Sequence, residues 1–235
     1  MQDPHFGQGV DYVTDACGVA HLAPGLCYGA IEFAPGAEKE FDSPNTVGGD
    51  PFAVYRGIEC DLFQWESYEQ RAKDSLALSE TRGVEEGFRI SVLEGDGLAD
   101  LTPTPGTAIK PVEAFGILEE YAGNTYSGKP LIHVGRYGAT YLGKSGVIKD
   151  QEGDMVTFQQ TPVVNGSGYG RGTGVPATGR FWVWMTGQVG LWRGPVISNR
   201  VPDPRYNTAR GIAERIYVAA ADCFVVGVLV TTEGI

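Results

Sequence analysis

Basic residues are scarce in this chain. Of 235 residues, 18 are Lys or Arg against 29 Asp or Glu, a formal net charge of −11. A nucleic-acid binder needs a basic footprint, so this balance argues against that class. Histidines are scarcer still: His5, His21 and His133 stand far apart. No GxSxG elbow, HExxH or carboxylate–histidine spacing accompanies them. The four cysteines, Cys17, Cys27, Cys60 and Cys223, form no CxxC pair and match no zinc spacing. Their expected state is reduced, as in a cytoplasm. Long apolar runs are missing as well. The longest, 224–230, is interrupted by Gly227 and is far too short to cross a membrane. The start, Met1 to Gly9, is polar with no apolar core behind a basic end, so no secretory signal is expected.

Glycine, by contrast, is abundant: 34 residues, roughly twice the usual share. Together with 14 prolines it predicts many turns and an α+β or β-rich fold. The charge is unevenly spread. Residues 1–100 hold 19 acids and 6 bases, a net of −13, while residues 101–235 hold 10 acids and 12 bases, a net of +2. Either the acidic front meets the less acidic rear of a neighbouring copy, or the acids are solvated surface.

The longest proline-free stretch with apolar residues at helical spacing is 65–88, WESYEQRAKDSLALSETRGVEEGF. Trp65, Tyr68, Ala72, Leu76, Ser79 and Gly83 fall on one stripe. Opposite charges four apart, Glu69 with Lys73 and Arg82 with Glu86, support the other face. Ser67 and Gln70 read as a capping box, and Gly87 is placed to end the helix. About 20 helical residues span about 30 Å, the width of a small domain.

Ahead of this helix, residues 1–27 show no period and read as an arm lying on something else. YGAIEF at 28–33 and PFAVYRGIEC at 51–60 read as two strands joined by a long polar tip, an extended hairpin. Such a ribbon is marginal alone and needs a packed partner in the chain or in another subunit. The expectation is that the first sixty residues borrow an interior from adjacent copies. Beyond the helix, 90–93 suggests a short strand and 95–106 a loop. A helix is predicted over 111–122, with Val112, Phe115, Leu118 and Tyr121 as its stripe. A buried strand follows at 131–134, a short helix at 137–144, and strands at 155–158 and 162–164. Segments 181–185 and 189–192 flank Thr186-Gly187-Gln188 as a hairpin, and strands at 212–218 and 223–230 close the chain. Strands and helices do not alternate as βαβ units require, so the fold class is α+β.

The sequence nominates no catalytic residue, no cofactor site and no metal ligand, and no enzymatic activity is expected. The loop 166–174 lacks both the P-loop and the dinucleotide spacing and leads into a strand. It reads as a surface or symmetry-axis loop. Asn165-Gly166-Ser167 matches a glycosylation sequon by chance, given the absent signal. His133, inside LIHV, reads as a hydrogen-bonded core residue. Trp182, Trp184 and Trp192 could stack a base or sugar, although core or interface is the better use. Arg171, between glycines, is the exposed base most suited to a subunit contact, with Tyr169 beside it.

The order of a long hairpin, a long helix and a mixed half closing on strands resembles the HK97-type fold of tailed-phage major capsid proteins. The phrases PFAVYRGIEC, VEAFGILEEY followed by LIHVGRY, TPVVNGSGYG, FWVWMTGQVGLWRG and NTARGIAERIYV are similar to those of actinobacteriophage-type virion proteins. The resemblance implies an arm over 1–27, an extended loop over 28–64, and a spine helix with peripheral domain over 65–104. An axial domain over 105–187 and closing strands over 188–235 would complete the chain. It also implies self-assembly into hexamers and pentamers of an icosahedral phage head enclosing DNA. Portal, decoration or scaffolding proteins would be partners, with no membrane and no sequence-specific nucleic-acid contact, and localisation would be in a virion made in the host cytoplasm. The extended-loop residues Glu38, Lys39, Glu40 and Asp42 would lie across a neighbour, and Lys39 sits where some relatives crosslink. A decoration or head-to-tail connector protein, or a carbohydrate- or small-molecule-binding domain using the tryptophans, are the alternatives.

Overall fold

A computed structural model describes residues 10–13, 46–61, 68–170, 179–203 and 208–234. Its central element is helix α1, Tyr68–Phe88. Buried positions recur every fourth residue, at Tyr68, Ala72, Leu76, Glu80, Val84 and Phe88. The expected stripe is therefore corrected after Leu76: Glu80 and Val84 face the core in place of Ser79 and Gly83. Packing explains the shift. At Gly83 an added Cβ would sit 2.5 Å from Val54 Cγ1, and at Gly87 it would overlap the Phe52 ring. The two glycines form a bare track, one turn apart, that lets a strand press onto the helix. Gly87 accordingly does not end α1. The helix runs through Phe88 into a π-helical turn, Arg89–Leu93, where a short strand was expected. Short apolar runs such as RISVL do not distinguish strand from helix by period alone.

The strand on that track is β2, Thr46–Asp61. It pairs antiparallel with β11, Thr208–Asp222, from Asp61↔Thr208 to Thr46↔Asp222. On its other side β11 pairs with β10, Ile197–Asp203, and with β9, Val189–Arg193. A short parallel strand, β1 (Val10–Val13), adds to β9. Both β1 and β2 thus lie on their own body, and Val54 joins the main core with Phe52 and Ile58 against it. For these two strands this corrects the expectation that the front of the chain finds its interior only in other copies; the rest of the expected arm, 1–9 and 14–27, lies outside the described residues. The predicted hairpin partner at 28–33, and the extended-loop tip, lie outside the described residues.

A second sheet has the order β3 (Leu98–Asp100), β12 (Val225–Thr231), β8 (Arg180–Thr186), β4 (Leu131–Gly135), β7 (Val163–Gly166). Strands β8 and β9 belong to different sheets, so the hairpin expected around Gly187 is corrected to a crossing point. Gly187 is packed so closely on the Asp222 carbonyl that no Cβ would fit. Helices α2 (Pro111–Thr125) and α3 (Arg136–Ser145) cover one face of this sheet, with Phe115, Leu118 and Leu142 against Ile132, Val134, Val183 and Met185. Its other face sends Leu131, Trp184 and Val225 into the core shared with α1. Covered on both sides, β12 reads VVGVLVT, a near-continuous apolar run. A small hairpin, β5 (Ile148–Gln151) with β6 (Asp154–Thr157), completes the described elements.

Candidate functional site

Among the described residues, buried polar groups join these layers at three places taken here in turn. In the first, one face of α1 holds the turn that follows β7. Glu85 Oε2 accepts a hydrogen bond from the Gly168 amide at 2.7 Å, and Arg89 Nε donates to the Gly168 carbonyl at 3.1 Å. Both side chains are buried. Arg89 also donates to Glu94 Oε2 at 2.5 Å. Burial pushes the Glu85 carboxyl up, against the pull of the Gly168 and Ser167 amides and of Arg136. The turn is glycine because the helix is so close: a Cβ at Gly168 would stand 2.5 Å from Glu85 Cβ and 2.6 Å from the Arg82 carbonyl.

The second group ties α1 to the central strand. Glu80 Oε1 lies 3.1 Å from Arg215 and accepts from the Tyr217 hydroxyl at 2.7 Å. Burial, with Glu80 beside it, raises the Tyr217 phenol far above its usual range. The third sits where the chain changes sheets. The Tyr126 hydroxyl lies 3.4 Å from Asp222 and accepts from the Gln188 amide at 3.0 Å. Burial raises the Asp222 carboxyl. Next to it Cys223, at φ 62°, is disulfide-bonded, which corrects the expectation of reduced cysteines there. Spacing along the chain carries no information about such a tertiary neighbour.

His133 is a core residue, as its strand context predicts. Its Nε2 is 3.0 Å from Thr186 Oγ1, its Nδ1 3.4 Å from the Tyr169 hydroxyl, and the Phe88 ring packs 5.2 Å away. Burial lowers its pKa to about 3. The expected subunit contact at Tyr169 is corrected by the same geometry: the ring is 2% exposed and packs on His133 inside its own chain. Flanking glycines suggested a loop tip, but the Glu85–Arg89 face draws the turn inward. Arg171, Glu38, Lys39, Glu40 and Asp42 lie outside the described residues. The tryptophans do not form one cluster: Trp182 and Trp184 stack at 6.4 Å, whereas Trp192 packs apart with Ala220 and Val218. Sequence reasoning missed Glu85, Arg89 and Glu80, which read as part of a solvated charged face. Only the fourfold recurrence from Tyr68 through Leu76 to Glu80 and Val84 could have pointed to one of them.

An open cleft of about 870 Å³ runs beside the C-terminal half of α2. Of its two carboxylates, Glu119 and Glu120, the first is engaged by the Thr157 and Thr161 hydroxyls at 2.7 and 2.9 Å. Among the described residues no three His, Cys, Asp or Glu side chains gather as a metal site, and no helix is long and apolar enough to cross a membrane.

The fold can be stated from this architecture. A long helix across a sheet built around two long antiparallel strands, with a second sheet under two helices, is an HK97-like capsid fold. No protein-family model and no curated protein matches the chain. Solved structures do. The capsid of an empty GTA particle aligns with a TM-score of 0.51 at 11% identity, over 95% of this chain and 88% of that one. The capsid of a native GTA particle aligns at 0.51 and 12%, with the same coverage. The holo-SrpI encapsulin complex from Synechococcus elongatus PCC 7942 aligns at 0.49 and 11%, over 77% of this chain and 74% of that chain.

Proposed function

We propose that this chain is a non-enzymatic structural subunit of a closed shell, a phage-type major capsid protein that assembles into hexamers and pentamers around DNA. The observation that carries the reading is the fold, matched over 95% of the chain to a GTA-particle capsid. An acidic chain also suits a container that must not grip its cargo. In this reading the segments 1–27, 28–64, 65–104, 105–187 and 188–235 serve as arm, extended loop, spine with peripheral domain, axial domain and closing strands. Glu38, Lys39, Glu40 and Asp42 contact a neighbouring copy, and Arg171 contacts one near a symmetry axis. The subunit resides in the virion after synthesis in a bacterial cytoplasm. Negative-stain imaging and sedimentation of the purified chain at micromolar concentration test the reading. Closed particles are expected; monomers at every concentration would overturn it.

A further inference from the structure

Helices α2 and α3 cover the same face of the second sheet, yet their outward surfaces are opposite in charge. Helix α2 carries Glu113, Glu119 and Glu120 and no base. Helix α3, RYGATYLGKS, carries Arg136 and Lys144 and no acid, and Arg180 heads β8, against which α3 packs. Their relief differs as well. On α3 the rings of Tyr137 and Tyr141 stand 5.0 Å apart, Phe181 lies 6.2 Å from Tyr137, and all three are only half-buried. Arg136, Thr140 and Lys144 form the exposed stripe alongside. On α2 the exposed stripe is Val112, Gly116, Glu120 and Gly123, and an added Cβ at either glycine meets nothing within 4 Å. No contact within the subunit calls for these glycines, although each costs about 1 kcal/mol of helix propensity against alanine. The stripe runs into the cleft beside the C-terminal half of α2, where none of the described lining residues belongs to α3. The subunit's own aromatic helix therefore leaves this groove open. Lys129 is the one base among the described lining residues, against Glu119 and Glu120.

We propose that copies of the chain join head to tail, the glycine-bare, acidic face of α2 in one copy receiving the aromatic, basic face of α3 in the next. The inference rests on the shell reading and names the two faces that meet. Charge selects the pairing. Two α2 faces brought together would oppose carboxylates, and two α3 faces would oppose cations; only α2 against α3 brings opposite signs into contact. The half-buried rings supply the apolar contact, as aromatic anchors do at the centre of interfaces, and the glycines leave room for them. Charge used in this way fixes orientation more than strength. Pairs closed off from solvent are also screened much less than the repulsion between whole copies. A contact between two different faces repeats from each copy to the next and forms a ring when the rotation closes.

The test follows the full-length chain by sedimentation velocity across a concentration series, alongside urea unfolding of the unassembled subunit. Y141A removes a ring, G116L fills the groove, and E120K and K144E each place like charges together. Each is expected to raise the concentration needed for assembly about tenfold, the effect of losing about 1.4 kcal/mol. G116L is expected to do so without loss of subunit stability, since leucine is the better helix former. The double variant E120K with K144E restores opposite signs across the contact and is expected to recover most of the assembly. Should Y141A or G116L fail to fold, the charge reversals and their combination carry the comparison. Single variants that assemble like the parent chain, or a double variant no better than either reversal, would overturn the α2–α3 contact and leave the shell reading standing. A parent chain that never assembles would overturn the shell reading, and this inference with it.

Discussion

At the scale of single residues, His133 makes burial measurable. Its imidazole is neutral in the folded chain, with a pKa near 3 against 6.5 when unfolded. Between those values the unfolded chain binds the extra proton. Stability should therefore fall as pH drops below about 6.5, by up to about 1.4 kcal/mol per pH unit from this group. Asp222 and Glu85 act in the opposite sense. Burial raises both carboxyls, so the folded state takes up their protons first and falling pH relieves a cost. The separation is made by H133Q, which removes only the imidazole contribution. Urea midpoints followed from pH 7 to pH 5 should fall more steeply for the parent chain than for H133Q. Parallel slopes would mean that the imidazole takes up its proton inside the fold.

At the scale of elements, the contact between α1 and its sheet depends on what is absent from the helix. Alanine has the better helix propensity, by about 1 kcal/mol, yet G83A and G87A should each destabilise by about 1–3 kcal/mol because Val54 and Phe52 occupy the space. On α2 the same change should have the opposite sign. An added Cβ at Gly116 or Gly123 meets nothing within 4 Å, so G116A and G123A should each stabilise by about 0.4–1 kcal/mol. Chemical denaturation of the four variants decides it, and a uniform sign across them would refute the packing account. On the buried side of α1, E80A strands Arg215 in the core and should cost about 3–5 kcal/mol. The cost should be smaller in E80A combined with R215M, where no charge is left unpaired; additive losses would show that the two groups do not act as a pair.

These elements also mark what the chain made legible. Helix α2 starts at Pro111 as predicted, but its stripe is corrected: Val112 is exposed and Ala114 and Ala122 are buried with Phe115 and Leu118; β4, α3, β8 and β12 fall close to their expected positions. Each is written in local periodicity. Pairings between distant residues are not local. Nothing near PFAVYRGIEC names NTARGIAERIYV as its partner, and nothing around Thr186-Gly187-Gln188 reveals that Gly187 abuts Asp222 and sends the chain to another sheet. The Glu85 and Arg89 contacts to Gly168 are hidden for a related reason. Glu85 and Arg89 look like surface charges until the turn at Gly168 covers them, and that turn arrives some eighty residues later.

At the scale of the whole molecule, and on the proposed shell reading, charge decides how assembly should respond to salt. The front hundred residues carry a net of −13 and the remainder only +2. If copies were held together chiefly by attraction between front and rear, added salt would weaken the shell. The rear is too nearly neutral for that. Each added subunit brings a net charge of −11 to a like-charged surface, so the long-range term is repulsive and must be overcome by apolar and hydrogen-bonded contacts. Raising ionic strength from about 0.01 M to about 0.15 M shortens the screening length from about 30 Å to about 8 Å, less than the size of one subunit. Repulsion between whole copies then fades while short-range contacts persist. The concentration at which particles first form should therefore fall as salt rises over this range, and light scattering of a dilution series at several salt concentrations measures it. A threshold that climbs with salt would instead place attractive charge pairs at the centre of the interface. The acidic front would then have to be facing a locally basic surface that the net count conceals.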